Sequence, residues 1–199
     1  MSATSAMNTV RLFAAVLPPA DVSEQLAAAV AGLRSLPGAE ALRWTGVPGW
    51  HFTLAFYGEV EEDVVPELSE RLARAAHRTD AFALSVRGGG QFGHGRALWA
   101  GAAGEVGTLR LLADRAEAAG RKAGVEMGEH RRYQAHLTVA RCREAFETRP
   151  YVEALDAFAS RRWTVDDLAL VRSNLPKSGV PGEQPRYEVV ARWPLGAAG

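Results

Sequence analysis

Lysine is nearly missing from this chain. Of its 23 basic residues only Lys122 and Lys177 are lysines. The others are arginine, whose forked donors suit phosphate, although GC-rich coding also favours Arg. Cysteine is almost absent too: Cys142 stands alone. That excludes a disulfide within the chain, argues against a cysteine-based metal centre and fits a reducing cytoplasm. Net charge is missing altogether, 23 basic against 23 acidic residues. A protein that coats nucleic acid through bulk charge is thereby disfavoured, while a local basic cleft is not. No apolar run reaches the length of a membrane span. "VRLFAAVL", residues 10–17, carries Arg11 inside it and is followed by Pro-Pro-Ala-Asp, so it reads as a buried strand rather than a signal-peptide core. The expectation is an unprocessed cytoplasmic protein that does not engage a membrane.

What is present is ordinary for a globular protein: 47% apolar and 23% charged residues over 199 positions. That length supports one sizeable core or two small lobes sharing one. Residues 1–9 read as a loose tail, 10–195 as one bilobal domain and 196–199 as a second tail. Val10 to Val16 is strand-like. Pro18, Pro19 and Asp21 open a helix with Val22, Leu26, Ala29 and Leu33 in its apolar stripe. Leu42 to Thr45 is a short strand, His51 to Tyr57 a longer one, and Glu61 to His77 a helix. Phe82, Leu84 and Val86 alternate as in a half-buried strand. Gly88 to Gly95 reads as a loop and Ala97 to Gly101 as a strand. Glu105 to Ala123 is helical, His130 to Ala140 extended, Tyr151 to Ser160 helical. Trp163 to Ser173 and Tyr187 to Trp193 are strands around a long loop, "LPKSGVPGEQP". Strand pairs mixed with helices indicate an α+β fold.

Two segments repeat each other. "HFTLAF" begins at His51 and "HLTVAR" at His136, 85 positions later. Alternate side chains of a strand share a face. His51 and Thr53 therefore point one way, and Phe52, Leu54 and Phe56 the other, into a core. His136 and Thr138 are placed alike, opposite Leu137 and Val139. The simplest interpretation is a weak internal duplication: two sheet-plus-helix lobes related by a pseudo-two-fold, with both imidazoles and both hydroxyls facing one cleft.

Paired imidazoles suit a reaction that needs an acid and a base together. With a reference pKa of roughly 6.5, imidazole holds either state near neutrality. One His can take a proton from water while the other gives one to a leaving oxygen. Neighbouring hydroxyls can bind oxygens whose charge grows in the transition state. This suits metal-free cleavage of a phosphoester, best of one strained in a ring. A lone strand histidine is more often a satisfied structural residue; it is the repetition with the same Thr offset that reverses the balance. His-x-Thr supplies no second metal ligand on its strand, and His77, His94 and His130 make no ligand spacing. No metal or cofactor is expected, and His77 reads as a solvated residue at a helix end.

The twin motif is similar to the HxTx signature of the 2H phosphoesterase superfamily. Within it the chain resembles the bacterial and archaeal RNA 2′,3′-cyclic phosphodiesterases, the LigT-like or 2′-5′ RNA ligase-like proteins. "RLFAAVLPP", "LRWTGVPGWHFTLAFYGEV", "VRGGGQFGHGRALWAG", "LALVRSNL" and "YEVVARWPL" carry the likeness over nearly the whole chain. Three positions depart from the usual pattern, Ala135 for Pro, Val139 for Leu and Tyr57 for Leu, and none removes a reacting group. The resemblance implies two antiparallel sheets with flanking helices around an active-site cleft. It implies His51 as proton donor to the leaving 3′ oxygen, His136 as proton acceptor from water, and Thr53 and Thr138 as holders of the phosphoryl oxygens.

Several further residues are candidates for substrate contact, each with a plainer alternative. Arg141 follows the second motif where the family commonly has Arg; strict alternation puts it on the core-side face, so a strand-end ion pair is the alternative. Tyr133 could stack on a base or pack in the core. Arg43 and Trp44 could line the cleft, or Trp44 could fill the core. "GGGQFGHG" lacks the Lys and Ser/Thr of a P-loop and reads as a connection between strands, with Phe92 reaching the cleft rim. Cys142 reads as inert. The leading expectation is a monomeric, metal-independent hydrolase that opens RNA 2′,3′-cyclic phosphate ends to 2′-phosphates, with tRNA fragments or small cyclic nucleotides among its substrates. The rivals are a 2H enzyme for another cyclic phosphate or for 2′-5′ linkages, including reverse ligation, and a non-catalytic RNA-end binding module.

Overall fold

A computed structural model describes residues 8–196; of the expected tails, 1–9 and 196–199, residues 1–7 and 197–199 lie outside the described residues, and Thr9 belongs to the first strand. The chain runs β1 (Thr9–Val16), α1 (Ala20–Leu33), β2 (Arg43–Trp44), β3 (Phe52–Glu61), α2 (Val65–His77), β4 (Phe82–Phe92), β5 (Ala97–Gly104), α3 (Val106–Lys122), β6 (Leu137–Arg141), α4 (Arg149–Asp156), β7 (Trp163–Val165), β8 (Asp167–Asn174) and β9 (Arg186–Pro194). Prolines open or precede α1, α2 and α4, where a fixed φ and a missing N–H cost nothing. In α1 the stripe Val22, Leu26, Val30 and Leu33 is buried.

The strands form two sheets, of order β3-β1-β8-β9 and β2-β6-β5-β4-β7, and every pairing is antiparallel. Helices α2 and α3 back the first sheet; α4 backs the second, with α1 against it. The lobes are not the two halves of the sequence. β1 and β3 belong to the first sheet, β2 and β4–β7 to the second, and β8 and β9 return to the first. The chain thus crosses between lobes repeatedly, and neither lobe is a contiguous segment. One apolar cluster joins both, from Leu12, Phe52 and Leu68 to Leu98, Leu137 and Leu155.

Three readings of local structure are corrected. Residues 88–92 are not loop: β4 continues to Phe92, paired with β5. The glycines there make room for neighbours. A Cβ on Gly90 would lie 2.2 Å from the Trp99 indole, and one on Gly89 2.6 Å from Leu155. The second His strand begins at Leu137 rather than His130, and His51 likewise precedes its strand by one residue. Phe56 does not enter the core. Ala14 pairs with Ala55 and Ala15 with Thr53, so Leu54 is an extra, bulged residue. Past a bulge the alternation of faces inverts. Tyr57, itself an extra residue between Phe56 and Gly58, is the buried one, its hydroxyl donating to the Ala116 carbonyl at 2.9 Å. Phe56 stands 49% exposed under the guanidinium of Arg11.

Candidate active site

Each motif histidine sits at the mouth of its strand, where the sheet has yet to claim its backbone. The Thr two residues on lies within the ladder: Thr53 opposite Ala15, and Thr138 opposite Trp99. The cleft-facing cluster of the first sheet is Phe13, Ala15, Ala169 and Val171, with Leu17 and Tyr187 packed on it. His51 rests there. Its ring centroid is 4.6 Å from Phe13 and 5.2 Å from Tyr187. His136 rests on the other sheet, edge-on to Phe92 at 5.0 Å and 6.3 Å from Trp99.

The two imidazoles lie within each other's field. Burial lowers the pKa of His51 to about 4, and the charge of His136 pushes the same way. His51 is accordingly neutral in the free protein. His136 Nδ1 lies 2.8 Å from the Gln134 carbonyl; in the tautomer that donates this bond, Nε2 is left for chemistry. Burial also raises the Tyr187 hydroxyl above the ordinary phenol range, against the pull of Arg141 and Arg11. Tyr187 thus reports that Arg141 reaches the neighbourhood of His51.

That placement overturns the strict-alternation reading of Arg141. Ala140 pairs with Leu98 and Thr138 with Trp99, so Val139 is an extra residue in β6. The inversion brings Arg141 to the same face as Thr138. Arg141 pairs directly across from Arg43, and no ion pair holds either one among the described residues. Trp44 takes the core-facing alternative: it is half-buried, with Nε1 donating to the Ala39 carbonyl at 3.1 Å and its ring against Tyr151. Phe92 does reach the cleft, at 37% exposure beside His136. Tyr133 lines a groove next to Trp99, Gln134 and Ala135. Its hydroxyl is buried without a hydrogen-bond partner. His77 ends α2 in an exposed position, and Cys142 is a free thiol beside the Ala41 carbonyl.

Sequence reasoning missed Phe13, Trp99 and Tyr187, which hold the imidazoles. Each lies in a strand where an aromatic reads as core, and only the sheet pairings reveal which face it shares. Among the described residues no three His, Cys, Asp or Glu side chains are grouped as a metal site would require. No helix among them is long and apolar enough to cross a membrane.

What this arrangement can do is offer a proton donor, a proton acceptor and two hydroxyls around one small anion, with arginine at one end. Known proteins resemble the chain that carries it. A protein of Thermus thermophilus named RNA 2′,3′-cyclic phosphodiesterase is 32% identical, with 93% of this chain and 90% of the relative covered. One of the same name from Geobacillus stearothermophilus is 31% identical over 76% of this chain. The chain spans about half of that relative, 47% of its length. The crystal structure of E. coli LigT in apo form superposes with a TM-score of 0.73 at 26% identity, covering 94% of this chain and 98% of LigT. The family described as LigT like phosphoesterase matches residues 16–99 and 103–181, more than half of the chain, and the chain therefore belongs to that family.

Proposed function

We propose that this protein opens terminal 2′,3′-cyclic phosphates on RNA by paired-histidine acid–base catalysis without a metal, leaving a 2′-phosphate. The observation that carries the reading is the mutual placement of two His-x-Thr strands across one cleft, close enough for one imidazole to depress the pKa of the other. Relatives named for this activity support it, as does a LigT neighbour crystallised with 3′-AMP.

In this scheme His136 Nε2 takes a proton from water as the water oxygen bonds to phosphorus. The P–O3′ bond breaks, and His51 gives its proton to the departing 3′ oxygen. Thr53 and Thr138 donate to the non-bridging oxygens. The low pKa of His51 imposes a condition: it must gain its proton with the substrate. A phosphate anion about 4 Å from an imidazolium, at an effective dielectric constant of about 20, stabilises the charged form by about 4 kcal/mol. That is about a thousandfold in the protonation equilibrium, enough to return His51 to the ordinary imidazole range. The anion thus charges its own acid.

One observation favours the exchanged roles: a histidine that is neutral in the free protein is a ready base. An activated leaving group needs little protonation, so it separates the two schemes. With such a substrate His51→Ala should be largely rescued and His136→Ala not. The opposite pattern assigns His51 as base. No turnover of any 2′,3′-cyclic phosphate by the intact protein would leave an RNA-end binding module. We place the protein in the cytoplasm, on its one unpaired cysteine.

A further inference from the structure

Arg43, Arg96, Arg141 and Arg143 line a single cavity of about 610 Å³ at the end of β2, β6 and β5, closed on one side by Pro181 and Gly182. Among the described residues Glu144 is the only acidic one in its wall. All four arginines are exposed, and none is in an ion pair among the described residues. Arg43 and Arg141 are directly opposed across two strands, a like-charge pairing that destabilises a sheet. An anion between the two guanidinium groups would relieve that repulsion. In a chain of zero net charge, such a concentration is local by construction.

The lining of this cavity includes neither motif histidine. Arg141 is shared: it shapes this wall, and its charge is felt at Tyr187, which packs on His51. Arg96 and Arg143 line the cavity and are not among the side chains packed on either imidazole. A larger basic groove of about 850 Å³ lies between α2 and α3, but three of its arginines are already engaged. Arg71 and Arg74 face Glu67 and Glu70 one turn away, and Arg115 donates to the Arg78 carbonyl and the Thr79 hydroxyl.

We infer that the four-arginine cavity is a subsite for the phosphodiester backbone of the RNA upstream of the cyclic end, selecting polynucleotides over mononucleotides. The inference rests on the proposed RNA substrate, and two measurements keep the questions apart. The first is the ratio of kcat/KM for a tetranucleotide ending in 2′,3′-cyclic phosphate to that for adenosine 2′,3′-cyclic phosphate, in the intact protein and in an Arg96→Gln/Arg143→Gln variant. The ratio should exceed about ten at low salt and fall several-fold in the variant. The second is binding of the same tetranucleotide ending in a 2′-phosphate, read by fluorescence anisotropy against salt. For every phosphate that the variant no longer neutralises, the magnitude of the log–log slope should drop by about 0.7. If neither substrate turns over, the catalytic reading fails, and the binding series still decides the subsite. Equal ratios, or equal affinities and salt slopes in the two proteins, overturn the inference.

Discussion

His51 lays its imidazole on the ring of Phe13, centroids 4.6 Å apart and planes inclined by 31°. Among the described residues no ion pair holds it there. The apolar seat is what depresses its basicity, and His136 adds to the effect. A site whose acid is uncharged until its anion arrives has several measurable consequences.

Replacing His51 or His136 by Ala should each lower turnover of a 2′,3′-cyclic phosphate by at least about 10²-fold. The double variant should lose far less than the product of the two, because the pair acts as a unit. Steady-state kinetics of the three variants check this. Multiplicative losses would mean the two groups act independently.

His51 should leave a mark on stability against pH. Its folded pKa, about 4, is below the ordinary imidazole value of 6.5. Between those values the unfolded chain binds a proton that the folded one does not. The contribution is therefore whole above pH 6.5 and is lost as the pH falls toward 4, by roughly 3 kcal/mol at most. Urea denaturation of the wild type and His51→Gln between pH 7.5 and 4.5 isolates it: the gap between them should change across this window. A constant gap would refute the buried, neutral His51.

Inorganic phosphate should raise the pKa of His51. Following its imidazole by NMR, the titration should move from near 4 toward neutrality when phosphate saturates the cleft. An unmoved midpoint with phosphate bound would remove the substrate-charged acid from the mechanism.

Turnover should persist in EDTA, because the chemistry assigned to His51, His136 and the two threonines needs no Lewis acid. Loss of activity in chelator, restored by one particular divalent ion, would contradict this.

Gly90→Ala should destabilise the protein by about 1–3 kcal/mol, the usual cost of overpacking, since the new Cβ would land 2.2 Å from the Trp99 indole. Trp99 lies beside His136, so kcat should fall as well. Thermal melts and kinetics test both. An unchanged Tm would mean that the indole has free space to move.

The linear sequence by itself determined the strand character of β1, β3 and β8, the start of α1 at its prolines, and the pairing of His with Thr on one face. These follow from the two-residue period of a strand and from φ limits, which are local. Only the tertiary structure decided what lies opposite what. The extra residues Leu54 and Val139 shift the register of β3 and β6. That inverts the faces of Phe56 and Arg141, and a bulge is defined by the partner strand rather than by its own residues. The crossing of the chain between lobes brings Phe13, Tyr187 and Trp99 around the two imidazoles from strands distant in sequence. It also sets Arg43 against Arg141. Burial, and with it the pKa of His51, is a property of that assembled surface, so no reading of "HFTL" alone contains it.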